Sequence, residues 1–400
     1  MCRGIKKMGK IKVAFLLNIS ENWLGGLNYY RNLLLAIVEN EDLAIEPVIF
    51  VPKDADIRLF EGYPDISIIE TGFLTRRNFL WFIRKILCKL INRDILLEKL
   101  LKSNNIDVIS HIQADLMQIE LPSAAWIPDF QHKYLPELFS RQELEGRDTS
   151  FRNLAKAYDT VILSSNNAKG DFIKFFSGFK GKAEVLQFAV TVDTSSNSNG
   201  VKYLKEKYKI DSKFFYLPNQ YWTHKNHKVV LEALTLLKQT GKKVLVVSSG
   251  NTEDYRNREY FISLKQFIEE HNLYGNYYIL EKIPYSDVQI LSQNCLAFIN
   301  PSLFEGWSTT VEEAKTMGKR ILLSNIPVHL EQNPQGGEFF RPDNSKELAD
   351  KMWYIWNEKH DNKVLQLDIE QKNKARRRKF AETFKRILEN TIERFNNKKG

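Results

Sequence analysis

Short apolar runs alternate with helical patterns along nearly the whole chain, and this alternation restricts the fold more than any other feature. Lys10–Leu17, Pro47–Val51, Ile66–Glu70, Asp107–His111, Ala124–Ile127 and Thr160–Ser164 read as strands, with helical patterns between several of them. Strands buried on both faces read as continuous apolar runs, and strands alternating with helices form a mostly parallel sheet. Polar residues then collect at Thr194–Gly200, a composition suited to a linker. The alternation resumes with Phe214–Pro218, Lys243–Ser248, Tyr277–Leu280, Cys295–Asn300 and Ile321–Leu323. The pattern predicts an α/β protein with two Rossmann-like, doubly wound parallel-sheet domains facing a cleft. Their expected limits are 1–195 and 200–375. A charged helix over 376–400, apolar at Phe380, Phe384, Ile387, Leu388, Ile392 and Phe395, has the means to cross back to the first domain.

A length of 400 residues with 43% hydrophobic content supports two cores and excludes a disordered or fibrous chain. Cys2, Cys88 and Cys295 are too few and too scattered for a disulfide framework, which points to a reducing compartment, by default the cytoplasm. The apolar run Ile11–Leu17 is cut off by Asn18, Ser20 and Glu21, too short for a signal-peptide core or a membrane span. A net charge of +9 favours an anionic partner; no nucleic-acid motif accompanies it, so nucleic acid is not expected. Much of the excess lies in 76–102, where eight basic residues meet only Asp94 and Glu98 among interleaved Phe, Trp, Ile and Leu. Such a stretch is either a basic amphipathic helix lying on an anionic membrane or a core-packing helix with a solvated basic face.

Chemistry-bearing residues gather at the ends of the strand-like runs. Gly25 and Gly26 lie in a loop between the first strand and a helical pattern, where backbone N–H groups approach phosphates in many doubly wound domains. Asn300-Pro-Ser-Leu-Phe-Glu-Gly-Trp-Ser-Thr-Thr-Val-Glu-Glu-Ala places Glu305 and the hydroxyls of Ser308, Thr309 and Thr310 ahead of a helix carrying Glu312 and Glu313. A helix N-terminus offers free N–H groups and a positive dipole to a diphosphate. Thr309 with Glu312, or Thr310 with Glu313, would alternatively form a capping box, and Glu312 reads as a cap or surface residue. His224 and His227 stand at i and i+3 without a third metal ligand nearby in sequence. Asp54-Ala-Asp56 is read as solvent-exposed, and no metal site is assigned.

Glu305 and Glu313, with seven residues between them in a Phe-Glu-Gly…Glu-Glu-Ala context, resemble the E-x7-E motif of retaining glycosyltransferases of family 4, which have the GT-B fold. That resemblance implies that Glu305 contacts the transferred sugar and Glu313 the nucleotide ribose. Leu217-Pro-Asn-Gln-Tyr-Trp-Thr-His-Lys is similar to the family's donor-phosphate loop; Lys225 takes the lysine position, and Gln220 stands where an arginine is usual. Trp126-Ile-Pro-Asp-Phe-Gln-His resembles a strand-end segment of the subset associated with bacterial surface polysaccharide and O-antigen assembly, implicating Asp129 and His132 in binding the acceptor or the sugar. Ile283, with Pro284, would fall near the nucleotide base. The resemblance implies a hexosyltransferase that uses a UDP- or GDP-type nucleotide-diphosphate sugar, needs no cofactor and glycosylates a glycan or lipid-linked glycan, in the cytoplasm or peripherally on the inner membrane face. The alternatives are another GT-B sugar-nucleotide enzyme, an epimerase or phosphorylase, or a non-catalytic nucleotide-sugar-binding module.

Overall fold

Strand β1 (Ile11–Leu16) sends Val13 and Phe15 into one core and Ala14 into another, and all three are fully buried. This two-sided burial is the physical reason that its sequence lacks polar alternation. The computed structural model of the protein describes residues 9–17, 24–91, 93–113, 119–192, 200–358 and 368–398. Around β1 stand β2 (Ile45–Pro52), β3 (Ser67–Thr71), β4 (Val108–Ile112), β5 (Ser123–Ile127), β6 (Thr160–Leu163) and β7 (Ala183–Val185). They form a seven-stranded parallel sheet in the order β3-β2-β1-β4-β5-β6-β7. The second sheet contains β8 (Phe215–Leu217), β9 (Val246–Ser248), β10 (Tyr277–Ile279), β11 (Phe298–Asn300), β12 (Ile321–Ser324) and β13 (Gly337–Phe340). Its six parallel strands run β10-β9-β8-β11-β12-β13. Both orders reverse once, between β1 and β4 and between β8 and β11, and loops leaving such a reversal open a crevice at the strand ends.

Helices cover both faces of each sheet. In the first, α1 (Leu24–Val38) supplies Tyr30, Leu33 and Leu34 to one core. Helices α2 (Phe79–Ile91) and α3 (Ile95–Ser103) follow, the latter burying Leu97 and Leu101 in the opposite core. In the second, α4 (His227–Gln239) buries Val230, Leu231 and Leu234 on one face, and α5 (Thr309–Met317) buries Val311 and Ala314 on the other. The long α6 (Ile369–Asn397) returns Phe380, Phe384, Ile387 and Leu388 to the core of β1 and α1.

The chain divides into two compact units that differ from the expected limits. One comprises 1–130, 145–189 and 374–400; the other comprises 131–144 and 190–373. The segment 131–144 thus belongs with the second sheet, because its side chains bond and stack on residues of that unit, as described below. The charged helix begins at Ile369 rather than at 376. The linker at 194–200 lies outside the described residues except for Gly200. The single helix anticipated across 76–102 is two, α2 and α3, with Asp94 capping the second through Leu97 N. Gly25 and Gly26 stand in the first turn of α1 rather than in a preceding loop. The first turn of a helix has no intrahelical partners for its N–H groups, so glycine there still exposes backbone donors.

Phe384 is fully buried and stacks on Phe15 at 6.0 Å. Phe384→Ala is expected to lower stability by about 3–5 kcal/mol, read as an earlier urea midpoint with an unchanged slope.

Candidate functional site

The reversal of the second sheet puts the loops after β8 and β11 side by side, and these are the loops that carry Lys225 and Glu305. Asn219, buried just beyond β8, donates from Nδ2 to Asn300 Oδ1 at the end of β11 (3.1 Å) and accepts from Thr310 Oγ1 in α5 (3.3 Å). A tight turn, Thr223–Lys225, follows, and Asn226 after it adopts the left-handed conformation (φ 54°). Its side-chain amide donates to Pro301 O and Pro342 O, at 3.1 and 2.9 Å. His224 O accepts from Leu303 N (2.8 Å), stitching the two loops together.

The result is a charge pair at the strand ends. Lys225 Nζ donates to Glu305 Oε1 at 2.6 Å, and Ser302 Oγ donates to the same oxygen at 2.7 Å. Both side chains are mostly covered, with 17% and 11% of their surfaces exposed. At this burial neither group tolerates loss of its partner without cost, so the loops are held in register by charge as well as by hydrogen bonds.

Helix α5 begins with Ser308 as its cap, accepting from Val311 N. Asn300 Nδ2 donates to Ser308 Oγ (2.7 Å), while Gln332 brackets the Ser308 backbone, accepting from its N–H and donating to its C=O. Ser308 and Thr310 are therefore engaged by the framework, and Thr309 is the partly exposed hydroxyl of the three. The capping box did not form: with Ser308 at the cap, Val311 occupies the position that a box needs for a carboxylate. Glu312 is neither a cap nor a surface residue but is buried against Lys315 and Gln332. Glu313 keeps part of its side chain at the surface and has no hydrogen-bonding side chain recorded among the described residues; burial pushes its carboxyl up to about 7.

His224 and His227 are core residues. His227 bridges Tyr277 OH (2.8 Å) and the carbonyl of Gln220 (3.1 Å) and stacks on Tyr221, and burial holds its pKa down at about 4. It thereby fixes the backbone of Gln220, the residue standing in the arginine position. Among the described residues no cluster of His, Cys, Asp or Glu is arranged to hold a metal ion. Asp56 caps a short helix and pairs with Arg58. Ile283 is partly buried in the loop between β10 and the helix Tyr285–Asn294.

His132 is buried in a one-turn helix, Gln131–Tyr134, with its ring edge-on to Phe139. Tyr134 of the same turn stacks on Phe304, the neighbour of Glu305, at 5.5 Å. The second unit thus brings together Lys225, Glu305, Ser308, Thr310 and the segment bearing His132. Gly25, Gly26 and Asp129 belong to the first unit. Sequence reading passed over Asn300, Ser302, Gln332 and His329, which join the two loops and the cap. Of these, only Asn300 and Ser302 lie at a strand end that the sequence marked; His329 and Gln332 lie in the helix Pro327–Gln332.

The family described as glycosyl transferases group 1 matches residues 202–378. That stretch of the chain resembles the group 1 family. The chain is 24% identical over 186 residues to the O-antigen chain mannosyltransferase RfbU of Salmonella typhimurium, covering 46% of this chain and 48% of that protein. It is 30% identical over 131 residues to the N,N'-diacetylbacillosaminyl-diphospho-undecaprenol alpha-1,3-N-acetylgalactosaminyltransferase of Campylobacter jejuni, covering 32% and 31%. The chain thus spans less than half of these curated relatives. A crystal structure of Anabaena Alr3699/HepE in complex with UDP and glucose superposes with a TM-score of 0.69 at 16% identity, over 95% of this chain and 99% of that one. With two parallel-sheet α/β domains and such structural neighbours, the fold is GT-B.

In the domain resembling group 1, Glu313 binds its proton more tightly when folded than the ordinary value of 4.5 allows when unfolded. Its contribution is therefore full below about 4.5 and is lost as pH rises through about 7. Glu313→Gln is expected to melt at the same temperature as the parent at pH 4 and higher than the parent at pH 8, measured by scanning calorimetry.

Proposed function

We propose that the protein is a retaining glycosyltransferase that moves a hexose from a nucleotide-diphosphate sugar to a glycan or lipid-linked glycan of a bacterial surface polysaccharide. The observation that carries this reading is the Lys225–Glu305 pair at the strand ends of a domain resembling group 1, beside the N-terminus of α5. An incoming diphosphate takes Lys225 as its counter-ion, and Glu305 turns to the hydroxyls of the sugar. Glu313 accepts from the ribose, and Ile283 lies against the base. The bond from the anomeric carbon to the diphosphate breaks as the bond to the acceptor oxygen forms on the same face; the acceptor proton passes to the leaving phosphate. Asp129 and His132 serve the acceptor or sugar hydroxyls. Lys225 stabilises charge that appears on the leaving group, the kind of interaction whose removal costs about a hundredfold or more in rate. UDP, held by the Anabaena neighbour, is the first donor base to try, with GDP the alternative.

A panel of UDP-, GDP- and dTDP-sugars, read by nucleoside diphosphate release and thermal shift, tests the assignment. One donor is expected to stabilise the protein and turn over slowly, with Glu305→Ala and Lys225→Ala reduced about a hundredfold. Binding without turnover in the presence of lipid-linked glycans would mark a binding module, and consumption without acceptor an epimerase or phosphorylase.

The acceptor's membrane context is supported by α2, whose amphipathicity is inverted. Its charged Arg84 points inward, forked onto Asp94 at 2.6–3.0 Å and donating to Phe73 O, with buried Cys88 one turn on. Its apolar line points outward: Phe79 and Leu90 are 76% and 77% exposed, with Phe82 and Ile86 between them at helical spacing. Exposed Lys85 and Lys89 flank this line, and Arg76 and Arg77 precede it. No described helix is long and apolar enough to cross a membrane, so the fitting occupant is the surface of an anionic bilayer. Flotation with phosphatidylglycerol vesicles is expected to carry the protein, less so at high salt, whereas Ile86→Asp/Leu90→Asp stays behind. Equal flotation of parent and variant would sink the idea.

A further inference from the structure

The donor-phosphate loop has a neutral Gln220 where the resembling enzymes have an arginine, yet an arginine from elsewhere in the sequence is built into the same loop. Arg256 lies beyond β9, and only 6% of its side chain is exposed. Its guanidinium stands over the ring of Trp222 at 5.0 Å, and Nη2 lies 3.5 Å from His224 Nδ1, next to Lys225. Asp254 holds it from behind by two contacts, 2.9 and 3.2 Å, and Nη1 donates to Gln131 Oε1 at 3.1 Å. Burial, with Lys225 and Arg256 nearby, keeps His224 neutral, so its Nδ1 has a lone pair to face the guanidinium.

Neighbouring contacts repeat the connection. Asn257 Nδ2 donates to Thr223 Oγ1 (3.1 Å), Trp222 Nε1 to Glu253 O (3.1 Å), and Tyr221 N to Asn251 O (2.9 Å). A Cβ on Gly250 would come within 2.5 Å of Asn219 O, so the two loops pack backbone to backbone. The 251–257 loop is thus a buttress along the whole length of 219–225.

On the reading of 219–225 as the diphosphate loop, we propose that Arg256 is its positioning residue: it clamps the Trp222–Lys225 turn so that Lys225 meets the diphosphate, and anchors the His132 segment through Gln131. With its charge matched by buried Asp254, Arg256 acts by planar geometry and not as a phosphate counter-ion. Forked pairing and ring stacking at one site are what lysine does not reproduce.

Isothermal titration with UDP and with uridine, alongside other bases if the donor panel so directs, decides the matter. Arg256→Lys, which keeps the charge, is expected to weaken UDP on the order of tenfold, the loss of about one charged hydrogen bond, with uridine affinity unchanged. Trp222→Leu, which leaves the ion pair intact, is expected to weaken UDP in the same selective way. Parent-like UDP affinity in Arg256→Lys would overturn the proposal by assigning the role to charge, and equal loss of both ligands would overturn it by showing a general defect in the domain. Lys225→Ala separates the two claims: if UDP still binds it with full affinity, the diphosphate assignment fails irrespective of Arg256.

Discussion

A single buried amide, that of Asn300, ties together the loops that leave the second sheet where its strand order reverses. Its oxygen accepts from Asn219 Nδ2, with Ser302 Oγ, whose one proton goes to Glu305, at 2.8 Å, and its nitrogen donates to the Ser308 cap, with His329 Nε2 at 3.4 Å. His329 is fully buried and kept neutral, and its Nδ1 faces Ser324 O, so the proton resides there and Nε2 is left to accept. A buried polar network specifies geometry only when every member is satisfied, and this one is. Ser302 passes the constraint on to Glu305, and Asn219 passes it to Thr310 and the start of α5. Position at the strand ends follows from topology; orientation of the charged groups follows from Asn300.

The parallel sheets were legible because their strands are buried on both faces and so read as unbroken apolar runs. The two strands that escaped notice, β7 with Ala183–Val185 and β13 with Gly337–Phe340, carry Glu184 and Gly337-Glu338 and so do not read as unbroken apolar runs. The spacing of Glu305 and Glu313 was visible, as was Lys225. That Glu305 would lie 2.6 Å from Lys225, eighty positions earlier, was not, since the intervening sequence gives no hint of strand order. The same difficulty hid the allegiance of 131–144. Gln131 meets Arg256 across 125 residues, and Tyr134 meets Phe304 across a longer interval still. Helix α2 shows the complementary failure: periodicity reveals that a helix has an apolar stripe but not which side of it meets the protein. There the buried Arg84–Asp94 pair decides, because an arginine forked onto a buried aspartate fixes the inward face.

Several covered charges of the second unit are paired, and this bears on the neutral Gln220. Lys225 is matched by Glu305, Arg256 by Asp254 and Lys315 by Glu312, while Glu313 has no cation recorded against it and holds its proton up to about 7. A dianionic diphosphate entering at Lys225 on the proposed reading must compete with Glu305 for it. Competition of that kind has a direction. The carboxylate that loses Lys225 keeps Ser302 as a donor and gains sugar hydroxyls, so its displacement is compensated only when a sugar is attached to the diphosphate. An arginine at 220 would hold the diphosphate whether or not a sugar came with it. On that reading, Gln220 leaves the competition between Glu305 and the diphosphate for Lys225 to decide how donor and product are held.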